Sequence, residues 1–387
     1  MIYLIQSSYQ KNSANTNRAL AISKGLKELG MEHRNIAILP SRNFDKESDC
    51  LRYGAFEYMW YGRKTNWRFF NKLQFYIAYK FLSRWKFKRF LSKLSPCDII
   101  LNLSAATFLP DMVATHKGDI YLERTEHLLV SSQGFNTKEK QAFYYHICQK
   151  LKGIFVITQS LKQSYIEQGI DENRLHIINM MVDYGRFRDL KKETLQTPYI
   201  AYCGTVSNQK DGVNDLIRAF SIVADKNKHI QLYIIGAVPK ADDKNENLRL
   251  IKEFGLEQRV VMTGVVPSET MPQMLKDAEV LVLARPNNLQ AQNGFPTKLG
   301  EYLLTENPVV ITKTGDISLF LTDQKDALLA TPGNYEEIAE KILWVLNNPS
   351  EAKKIGENGA RVALQHFNYL TETKKIVNVI NKETLLR

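Results

Sequence analysis

The regular alternation of short apolar runs with helical stretches is the feature that most constrains how this chain folds. It begins with an apolar run at residues 1–6, a helix predicted over 18–30 and a second run at 36–39. It restarts after a polar segment at 191–198. Short apolar runs are typical of strands buried in parallel sheets, and their alternation with helices builds doubly wound α/β domains. The pattern therefore predicts two such domains joined by a linker.

The remaining elements continue this alternation along the chain. Further strands are predicted at 98–103, 120–124, 154–158, 199–203, 231–236, 260–263, 280–284 and 309–312. Further helices are predicted at 213–224, 246–254, 268–276, 297–304 and 334–346. Asn334 and Glu337 have the spacing of a capping box at the start of the last of these helices. Because ligands of parallel sheets bind beyond the carboxyl ends of the strands, we expect the site in the cleft between two facing domains.

The net charge is concentrated in one segment of the sequence. The 387 residues carry a formal charge of +11, and residues 52–93 contribute eleven Lys and Arg against one acid. The other 345 residues are therefore nearly neutral, while this segment also holds 15 of the 40 aromatic residues. The overall composition, 44% hydrophobic and 24% charged, excludes a disordered chain and a disulfide-stapled miniprotein. The basic excess favours an anionic partner, such as a nucleic acid, a nucleotide phosphate or an acidic membrane surface.

Three interpretations of the basic aromatic segment 52–93 remain open. On a helix predicted from Asn66, the apolar side chains of Phe70, Leu73, Ile77 and Phe81 form one stripe. The first interpretation is docking on an anionic inner membrane surface to reach a lipid-linked acceptor. The residues expected at that surface are Arg63, Lys64, Trp67, Arg68, Lys72, Trp85, Lys86 and Arg89. The second is a helical pair that packs its aromatics inside the first domain, and the third is binding of single-stranded nucleic acid.

The spacing of the cysteines and the composition of the N-terminus indicate in which cellular compartment the protein is expected. Cys50, Cys97, Cys148 and Cys203 are far apart and show no CxxC spacing, so we expect buried thiols in a reducing compartment. The N-terminal apolar run has no basic residues before it and is too short for a signal peptide. No run approaches the roughly 18 apolar residues that span a bilayer. We therefore expect a cytoplasmic protein whose membrane contact, if any, is peripheral.

The stretch from Ala284 to Ile311 carries the clearest chemical signal. A strand ends at Ala284, a loop rich in Asn and Gln leads to Gly294, and a helix opens at Pro296. A helix N-terminus reached through such a loop presents free N–H groups and a positive dipole end to a diphosphate. Glu301, one turn further along, is a candidate acceptor for the hydroxyls of a ribose. The alternative is a helix that packs on the sheet and leaves Glu301 in solvent.

The segment GFPTKLGEYLLTENPVV resembles the signature of retaining GT-B glycosyltransferases of the large GT4 group. The signature usually has two acids with seven residues between them, a small helix and a Pro-Val-Val strand. Glu301 falls on the second acid, but Asn293 stands where the first is expected. The first acid usually contacts the donor sugar. The Asn293 amide can both donate and accept hydrogen bonds, so Asn293 can still bind the sugar. The resemblance implies two facing Rossmann-like domains and a nucleotide-sugar donor.

The resemblance continues, with the expected order and spacing, from about residue 153 to 380. In YCGTVSNQKDGVNDLIRAF, Lys210 matches a family lysine, while Thr205 stands where an arginine is expected and Arg285 is a candidate replacement. The donor-binding set implied is Thr205, Arg285, Asn293, Gly294, Phe295, Pro296, Thr297, Lys298 and Glu301. HFNYLTETKKIVNVI is similar to the family's closing helix. The implied organisation is an acceptor-side domain at 1–192, a nucleotide-sugar domain at 193–364, and a helix at 365–387 returning to the first domain.

The first half resembles the family only in outline. The catalytic-side histidine of the family maps to His127, after the strand predicted at 120–124, with Glu123 and Glu126 as neighbours that could serve instead and His116 as the rival histidine. With Lys210 and Glu301, His127 makes up the catalytic set. The family works without a bound metal ion, and no DxD-like motif stands in a suitable place, so no metal or other cofactor is expected.

The activity implied is transfer of a sugar, with retention, from a UDP- or GDP-sugar to a glycan or lipid-linked acceptor in bacterial surface polysaccharide assembly. No nucleic-acid partner is expected on this interpretation. Three alternatives stay open: a basic nucleic-acid-binding protein, a non-transferring enzyme such as a nucleotide-sugar 2-epimerase, and a catalytically weakened paralogue. Asn293 and Thr205 motivate the last of these.

Overall fold

The computed structural model describes residues 1–8, 13–40, 56–59, 65–103, 105–130 and 135–385. The chain divides into two compact units. The first comprises Met1–Asn179 together with Tyr369–Arg387, and the second comprises Met180–Asn368. The units therefore meet at 179/180 and 368/369, whereas the boundaries expected from the sequence were 192/193 and 364/365. The polar segment at 191–198, interpreted as a linker, lies inside the second unit.

The first unit is built on a seven-stranded parallel sheet in the order β3-β2-β1-β4-β5-β6-β7. Its strands are β1 Ile2–Gln6, β2 His33–Ala37, β3 Phe56–Tyr58, β4 Ile99–Asn102, β5 Ile120–Arg124, β6 Gly153–Val156 and β7 Leu175–Ile177. Its helices are α1 Ala14–Glu28, α2 Arg68–Ile77, α3 Ser83–Leu91, α4 Leu109–Thr115, α5 Lys138–Cys148, α6 Gln159–Ile166 and α16 Tyr369–Leu385. A five-residue π-helical stretch, Ala78–Leu82, joins α2 to α3.

The second unit is built on a six-stranded parallel sheet in the order β10-β9-β8-β11-β12-β13. Its strands are β8 Tyr199–Cys203, β9 Gln231–Ile235, β10 Val260–Gly264, β11 Val280–Leu283, β12 Val309–Thr312 and β13 Leu328–Ala330. Its helices are α7 Asn208–Asp211, α8 Val213–Lys226, α9 Ala241–Glu253, α10 Met271–Asp277, α11 Leu289–Asn293, α12 Thr297–Leu304, α13 Ile317–Phe320, α14 Tyr335–Asn347 and α15 Pro349–His366.

The strand order of each sheet fixes where a ligand can approach. In the second sheet the order reverses between β8 and β11, which are hydrogen-bonded neighbours. The loops that leave the carboxyl ends of two such strands diverge to opposite faces, and the gap between them is the usual binding place in parallel α/β folds. Both strands are almost completely buried, so they form a rigid support for these loops.

The last helix, α16, packs against α1 in the first unit, as the sequence predicted. A Cβ on Gly25 of α1 would lie 2.4 Å from the Thr373 hydroxyl oxygen, so the two helices are in direct contact there. The Glu372 carboxylate is fully buried and accepts a hydrogen bond from the Asn179 backbone N–H at 2.8 Å. Arg18 donates to the Asn179 carbonyl at 2.8 Å and forms a buried ion pair with Glu123. These contacts fasten both ends of the first unit's chain to its sheet.

Several elements differ from the sequence expectation. Strands β3, β7 and β13 were not predicted, since each has only three residues and too short an apolar run to stand out. The Asn- and Gln-rich loop after β11 contains the short helix α11. The expectation that the cysteines are buried is wrong for Cys97, which is exposed; Cys148 is buried and Cys203 partly so, while Cys50 lies outside the described residues. None of the helices within the described ranges is both long and apolar enough to cross a membrane.

Candidate functional site

A cluster of charged side chains lies where β8 and β11 end in the second unit. Gly204 follows β8, and the short helix α7 then brings Lys210 and Asp211 to the same region. Arg285 follows the end of β11 within two residues, and α12 begins with Thr297 and Lys298. The gap at the strand-order reversal is therefore lined by basic groups from three separate loops. This is the place where parallel α/β sheets bind phosphate-bearing ligands.

An ion pair between Lys298 and Asp211 organises the centre of this cluster. The Lys298 ammonium donates to Asp211 Oδ2, and it also donates to the Tyr202 hydroxyl at 3.2 Å. The Tyr202 hydroxyl lies 2.8 Å from Asp211 Oδ2 and 2.7 Å from the Thr205 carbonyl, two acceptors that share its single proton. The side chain of Asp211 is only 2% exposed. The lysine is thus held in place before any ligand arrives.

Two glycines allow the backbones around this ion pair to approach closely. Gly212 has a φ of +66°, and a Cβ there would lie 1.9 Å from the Ala284 carbonyl oxygen. A Cβ on Gly204 would lie 2.3 Å from the Lys298 ammonium. Any larger residue at Gly204 would push Lys298 away from Asp211. The tight turn at Gly212 is left-handed, a conformation that glycine adopts without a steric penalty.

The pKa directions follow from burial and from these neighbours. Burial disfavours the charged Asp211 carboxylate, but Lys298, the Tyr202 hydroxyl and the charge of Arg285 together lower the pKa of Asp211. Burial lowers the pKa of Lys298 against the opposing effect of Asp211, and the nearby charge of Lys210 lowers it further. Lys298 and Arg285 therefore act on one carboxylate, with Lys210 close enough to act on Lys298, which leaves an excess of positive charge. Lys210 makes no ion pair with any residue that the structure describes.

Glu301 is held by an arginine that the sequence analysis did not select. Arg186, in the segment that enters the second unit, forms an ion pair with Glu301 Oε1 and donates to the Ser268 carbonyl at 3.1 Å. The Glu301 side chain is 23% exposed, so the alternative of a freely solvated carboxylate does not hold. Burial raises the pKa of Glu301, with Arg186 opposing the shift. Burial, followed by the charge of Glu301, also raises the pKa of the neighbouring Cys203 thiol to about 12.

Helix α12 is fixed against the sheet, and no side chain caps its first turn. The buried Tyr302 hydroxyl accepts a hydrogen bond from the Cys203 N–H at 2.6 Å and lies 3.1 Å from the Cys203 carbonyl. A Cβ on Gly300 would lie 2.5 Å from the end of the Met180 side chain, so the helix packs closely on that segment. Pro296 is the residue before the helix and provides no side-chain cap. Lys298 lies in the first turn of α12, so this end of the helix adjoins the cation cluster.

The remaining donor-side residues occupy different surroundings. Thr205 is exposed, and Gly294 lies between α11 and α12. The Asn293 side chain is mostly buried and donates to the Leu289 carbonyl in its own helix at 3.1 Å. The Phe295 ring is buried against Phe320 and Phe367, so only its backbone can face a ligand. Among the described residues, no group of three or more His, Cys, Asp or Glu side chains is arranged to hold a metal ion.

The four candidate residues for the acceptor side of the first unit differ in burial and in position. They are His116, Glu123, Glu126 and His127. His127 follows the carboxyl end of β5 by three residues, and its Nδ1 accepts the Leu129 N–H at 3.3 Å. Burial and the charge of Arg124 lower the pKa of His127, so the ring is neutral near pH 7. Glu123 is buried in its ion pair with Arg18. His116 is buried and bonds the Asp98 carbonyl at 2.9 Å, at the amino end of β4. His127 and Glu126 alone are near the carboxyl edge with accessible side chains.

The basic aromatic segment is largely exposed where the structure describes it. No residue of α2 is buried, and the exposed fractions of Trp67, Phe81 and Trp85 are 77%, 66% and 57%. The interpretation that this segment packs its aromatics inside the domain is therefore wrong for α2. It holds for part of α3, where Phe87 and Leu91 are buried. Arg68, Lys72, Lys86 and Arg89 are exposed with the aromatics, whereas Arg63 and Lys64 lie outside the described residues.

Comparison with known proteins agrees with this geometry. Two crystal structures of Anabaena Alr3699/HepE, in complex with UDP and with UDP-glucose, superpose on this chain with a TM-score of 0.76. Each superposition covers 98% of this chain and 99% of the other, at 16% and 15% sequence identity respectively. The two parallel-sheet units therefore define a GT-B fold.

Sequence comparison finds similarity to glycosyltransferases, mainly in the second unit. Residues 197–348 match the model of the family Glycosyl transferases group 1. An MMP alpha-(1->4)-mannosyltransferase of Mycolicibacterium hassiacum is 23% identical over 55% of this chain and 49% of its own length. A poly(ribitol-phosphate) alpha-N-acetylglucosaminyltransferase of Staphylococcus aureus is 22% identical over 63% of this chain and 47% of its own length. Residues 197–348 are thus similar to the group 1 glycosyltransferases, and the chain spans about half the length of these two relatives.

Three residues of the site were missed from sequence: Tyr202, Asp211 and Arg186. Asp211 stands between Lys210 and Gly212 in the motif that was analysed, and an acid at that place was a usable signal. Tyr202 lies on a strand, where an aromatic residue is expected for packing alone. Arg186 is 115 residues from Glu301, so no local pattern links the two.

Proposed function

We propose that this protein is a glycosyltransferase that transfers a sugar, with retention, from a nucleotide-sugar donor bound in the second unit to an acceptor bound at the first. The observation that carries the proposal is the cation cluster of Lys210, Arg285 and Lys298 beside the uncapped first turn of α12. A nucleoside diphosphate is the ligand chemistry that this combination of fixed charges and amide donors fits best.

The cluster suits the leaving group as well as the bound donor. When the bond to the sugar breaks, negative charge builds up on the terminal phosphate, and cations already held in place stabilise that charge without reorganising. Lys298 is positioned by Asp211, and Lys210, without an ion pair among the described residues, is available to the diphosphate. Glu301, oriented by Arg186, accepts hydrogen bonds from the ribose hydroxyls. We propose that these groups act without a resident metal ion.

The acceptor side is assigned to the first unit. We propose front-face attack, in which the leaving phosphate takes the proton of the acceptor hydroxyl and His127 orients the sugar or the acceptor. A neutral His127 is consistent with an orienting hydrogen bond, since its Nε2 then carries the proton while Nδ1 accepts from Leu129. The poly(ribitol-phosphate)-modifying relative supports a surface polymer or its lipid-linked precursor in bacteria as the acceptor.

We further propose that α2 and α3 dock on an anionic membrane surface from the cytoplasmic side. The support is the exposure of large apolar side chains along one continuous helical stretch, including Trp67, Phe69 and Phe81, with basic residues beside them. Solvated helices of soluble proteins seldom expose so many contiguous aromatics. Helices that lie in a membrane interface combine the same two residue classes, and each basic residue contributes about 1 kcal/mol near an anionic leaflet.

A thermal-shift screen against UDP-, GDP- and ADP-sugars tests the donor assignment. One nucleotide series should raise the melting temperature, because a ligand that binds only the folded state stabilises it. Release of the corresponding nucleoside diphosphate then reports hydrolysis or transfer, and the anomeric configuration of the product reports retention. A stabilising donor with no release of diphosphate would instead indicate a catalytically weakened paralogue. No stabilisation by any of the three series would contradict the proposal.

A further inference from the structure

A cavity in the first unit lies apart from the charged cluster described above. Its volume is about 390 Å³, within the range of small-molecule sites. Its described walls come from the stretch around Arg84, the first turn of α4 at Leu109, and the face of α5 that carries Lys140, Phe143 and Ile147. None of these residues has a role in the donor site.

The position of the cavity relates it to the acceptor side. Leu109 and Lys140 belong to the first turns of α4 and α5. In a parallel α/β sheet, helices run antiparallel to the strands, so their first turns lie toward the carboxyl edge of the sheet. The loop that carries His127 leaves β5 at this same edge. The cavity therefore extends to the edge where an acceptor is expected.

The cavity is lined mainly by apolar side chains, with basic side chains at one side. Leu109, Pro110, Phe135, Phe143 and Ile147 form the apolar part. The Tyr144 hydroxyl is within hydrogen-bonding distance of Tyr165 at 2.9 Å. The described lining includes no carboxylate and no amide side chain. A sugar ring needs both donors and acceptors for its hydroxyls, and this lining offers few acceptors.

The charge at the cavity is positive in excess. Arg84 donates to both oxygens of Asp111, at 2.7 and 3.2 Å, and Lys88 contacts the same carboxylate at 3.2 Å. One buried carboxylate is thus shared by two cations. Lys140 adds a third cation, whose ammonium donates only to Asn136 Oδ1 at 3.2 Å among the described partners. An anionic group at this side would complement the unbalanced charge.

We propose that this cavity binds an amphiphile with a hydrocarbon chain and a phosphate or diphosphate head, so that the acceptor of the proposed transfer is lipid-linked. The chain lies against Leu109, Phe143 and Ile147, and the head lies between Arg84 and Lys140. The cavity shares helix α3 with the proposed membrane surface, because Arg84 lines the cavity and the next residue, Trp85, is exposed.

Calorimetric titration of the full chain tests this assignment, with ligands kept below their micellar concentrations. The probes are decyl phosphate, decyltrimethylammonium and inorganic phosphate. Decyl phosphate should bind at one saturable site, at least tenfold more tightly than either of the other probes. Lys140→Glu and Phe143→Ser should each weaken decyl phosphate at least tenfold, because one reverses the charge and the other removes apolar wall. Both side chains are substantially exposed, so the fold should persist.

Matched variants and a second ligand separate the possible failures. Lys150→Glu makes the same charge change in an exposed residue just beyond α5 and should leave decyl phosphate binding unchanged. Equal binding of the anionic and cationic chains, equal binding of inorganic phosphate, or undiminished binding by both cavity variants would overturn the assignment. The cavity assignment rests on the proposed function. Titration with a nucleoside diphosphate distinguishes failure of the cavity assignment from failure of the donor proposal. UDP or GDP binding without decyl phosphate binding defeats the cavity assignment alone, whereas the reverse result defeats the donor proposal.

Discussion

The Lys298 ammonium has two electrostatic roles, one in the folded structure and one in ligand binding. It satisfies the buried Asp211 carboxylate, and it also contributes positive charge to the opening where a diphosphate would lie. The same residue is therefore part of the fold and part of the binding surface. Lys210 serves only the second purpose, since no ion pair with a described residue restrains it. The two lysines should respond differently to substitution.

We expect Lys210→Ala to lower turnover by roughly a hundredfold with little change in melting temperature, because its charge acts on the leaving phosphate and not on the folded structure. Steady-state kinetics and thermal unfolding measure the two effects. Lys240→Ala is the matched control, since Lys240 is an exposed lysine of the same unit that reaches Gln209 at 3.5 Å. An unchanged kcat in Lys210→Ala would contradict the catalytic role.

We expect Lys298→Met to lower the free energy of unfolding by about 3 kcal/mol, because it leaves the Asp211 carboxylate buried without its ion-pair partner. For a unit of this size, this corresponds to a melting temperature roughly 6 to 12 °C lower. The double variant Lys298→Met/Asp211→Asn should recover a large part of that loss, since the remaining buried group is neutral. Calorimetry without nucleotide measures both. A double variant no more stable than the single one would show that the pair is not the cause.

At the scale of elements, helix α12 shows what local patterns can predict. Its bounds, 297–304, agree with the prediction because proline and a glycine-containing loop precede it and its own period is clear. Its anchoring to β8 through Tyr302 and Cys203 joins residues that are 99 positions apart, so no local pattern contains it. The π-helical stretch at 78–82 was also unpredictable. It shifts the phase between α2 and α3, and a regular helical period cannot represent that shift.

We expect the α2–α3 surface to bind vesicles that contain anionic lipid and to release them as salt concentration rises. Phe70→Ser/Phe81→Ser should reduce binding by removing apolar contact, and Lys72→Glu should reduce it by removing charge attraction. Co-sedimentation with vesicles of mixed neutral and anionic lipid measures each effect. Leu248→Ser is the matched control, because Leu248 is an exposed apolar residue of the second unit. Absence of sedimentation at low salt would contradict membrane docking, and retention of a single-stranded oligonucleotide would favour the nucleic-acid alternative.

At the scale of the whole molecule, the alternation of strands and helices predicted two parallel-sheet units, because buried strands and amphipathic helices leave strong periodic signals. The return of the last helix to the first unit was implied by the family resemblance and not by any periodic pattern. The network that fastens the returning helix was not visible, because Arg18, Asn179 and Glu372 meet only in the folded chain. The same distinction applies to the site. Lys210, Lys298 and Glu301 followed from motifs, whereas their partners Asp211 and Arg186 became apparent only through contacts.

The most direct test of the central claim compares each nucleoside diphosphate with its nucleoside. Calorimetric titration with UDP and uridine, GDP and guanosine, and ADP and adenosine isolates the contribution of the cation cluster, because each pair shares its base and ribose. For one of the three pairs, the diphosphate should bind at least tenfold more tightly, a difference of about 1.4 kcal/mol or more. Equal affinities within every pair, or no binding of any diphosphate, would show that the cluster does not hold the donor phosphates.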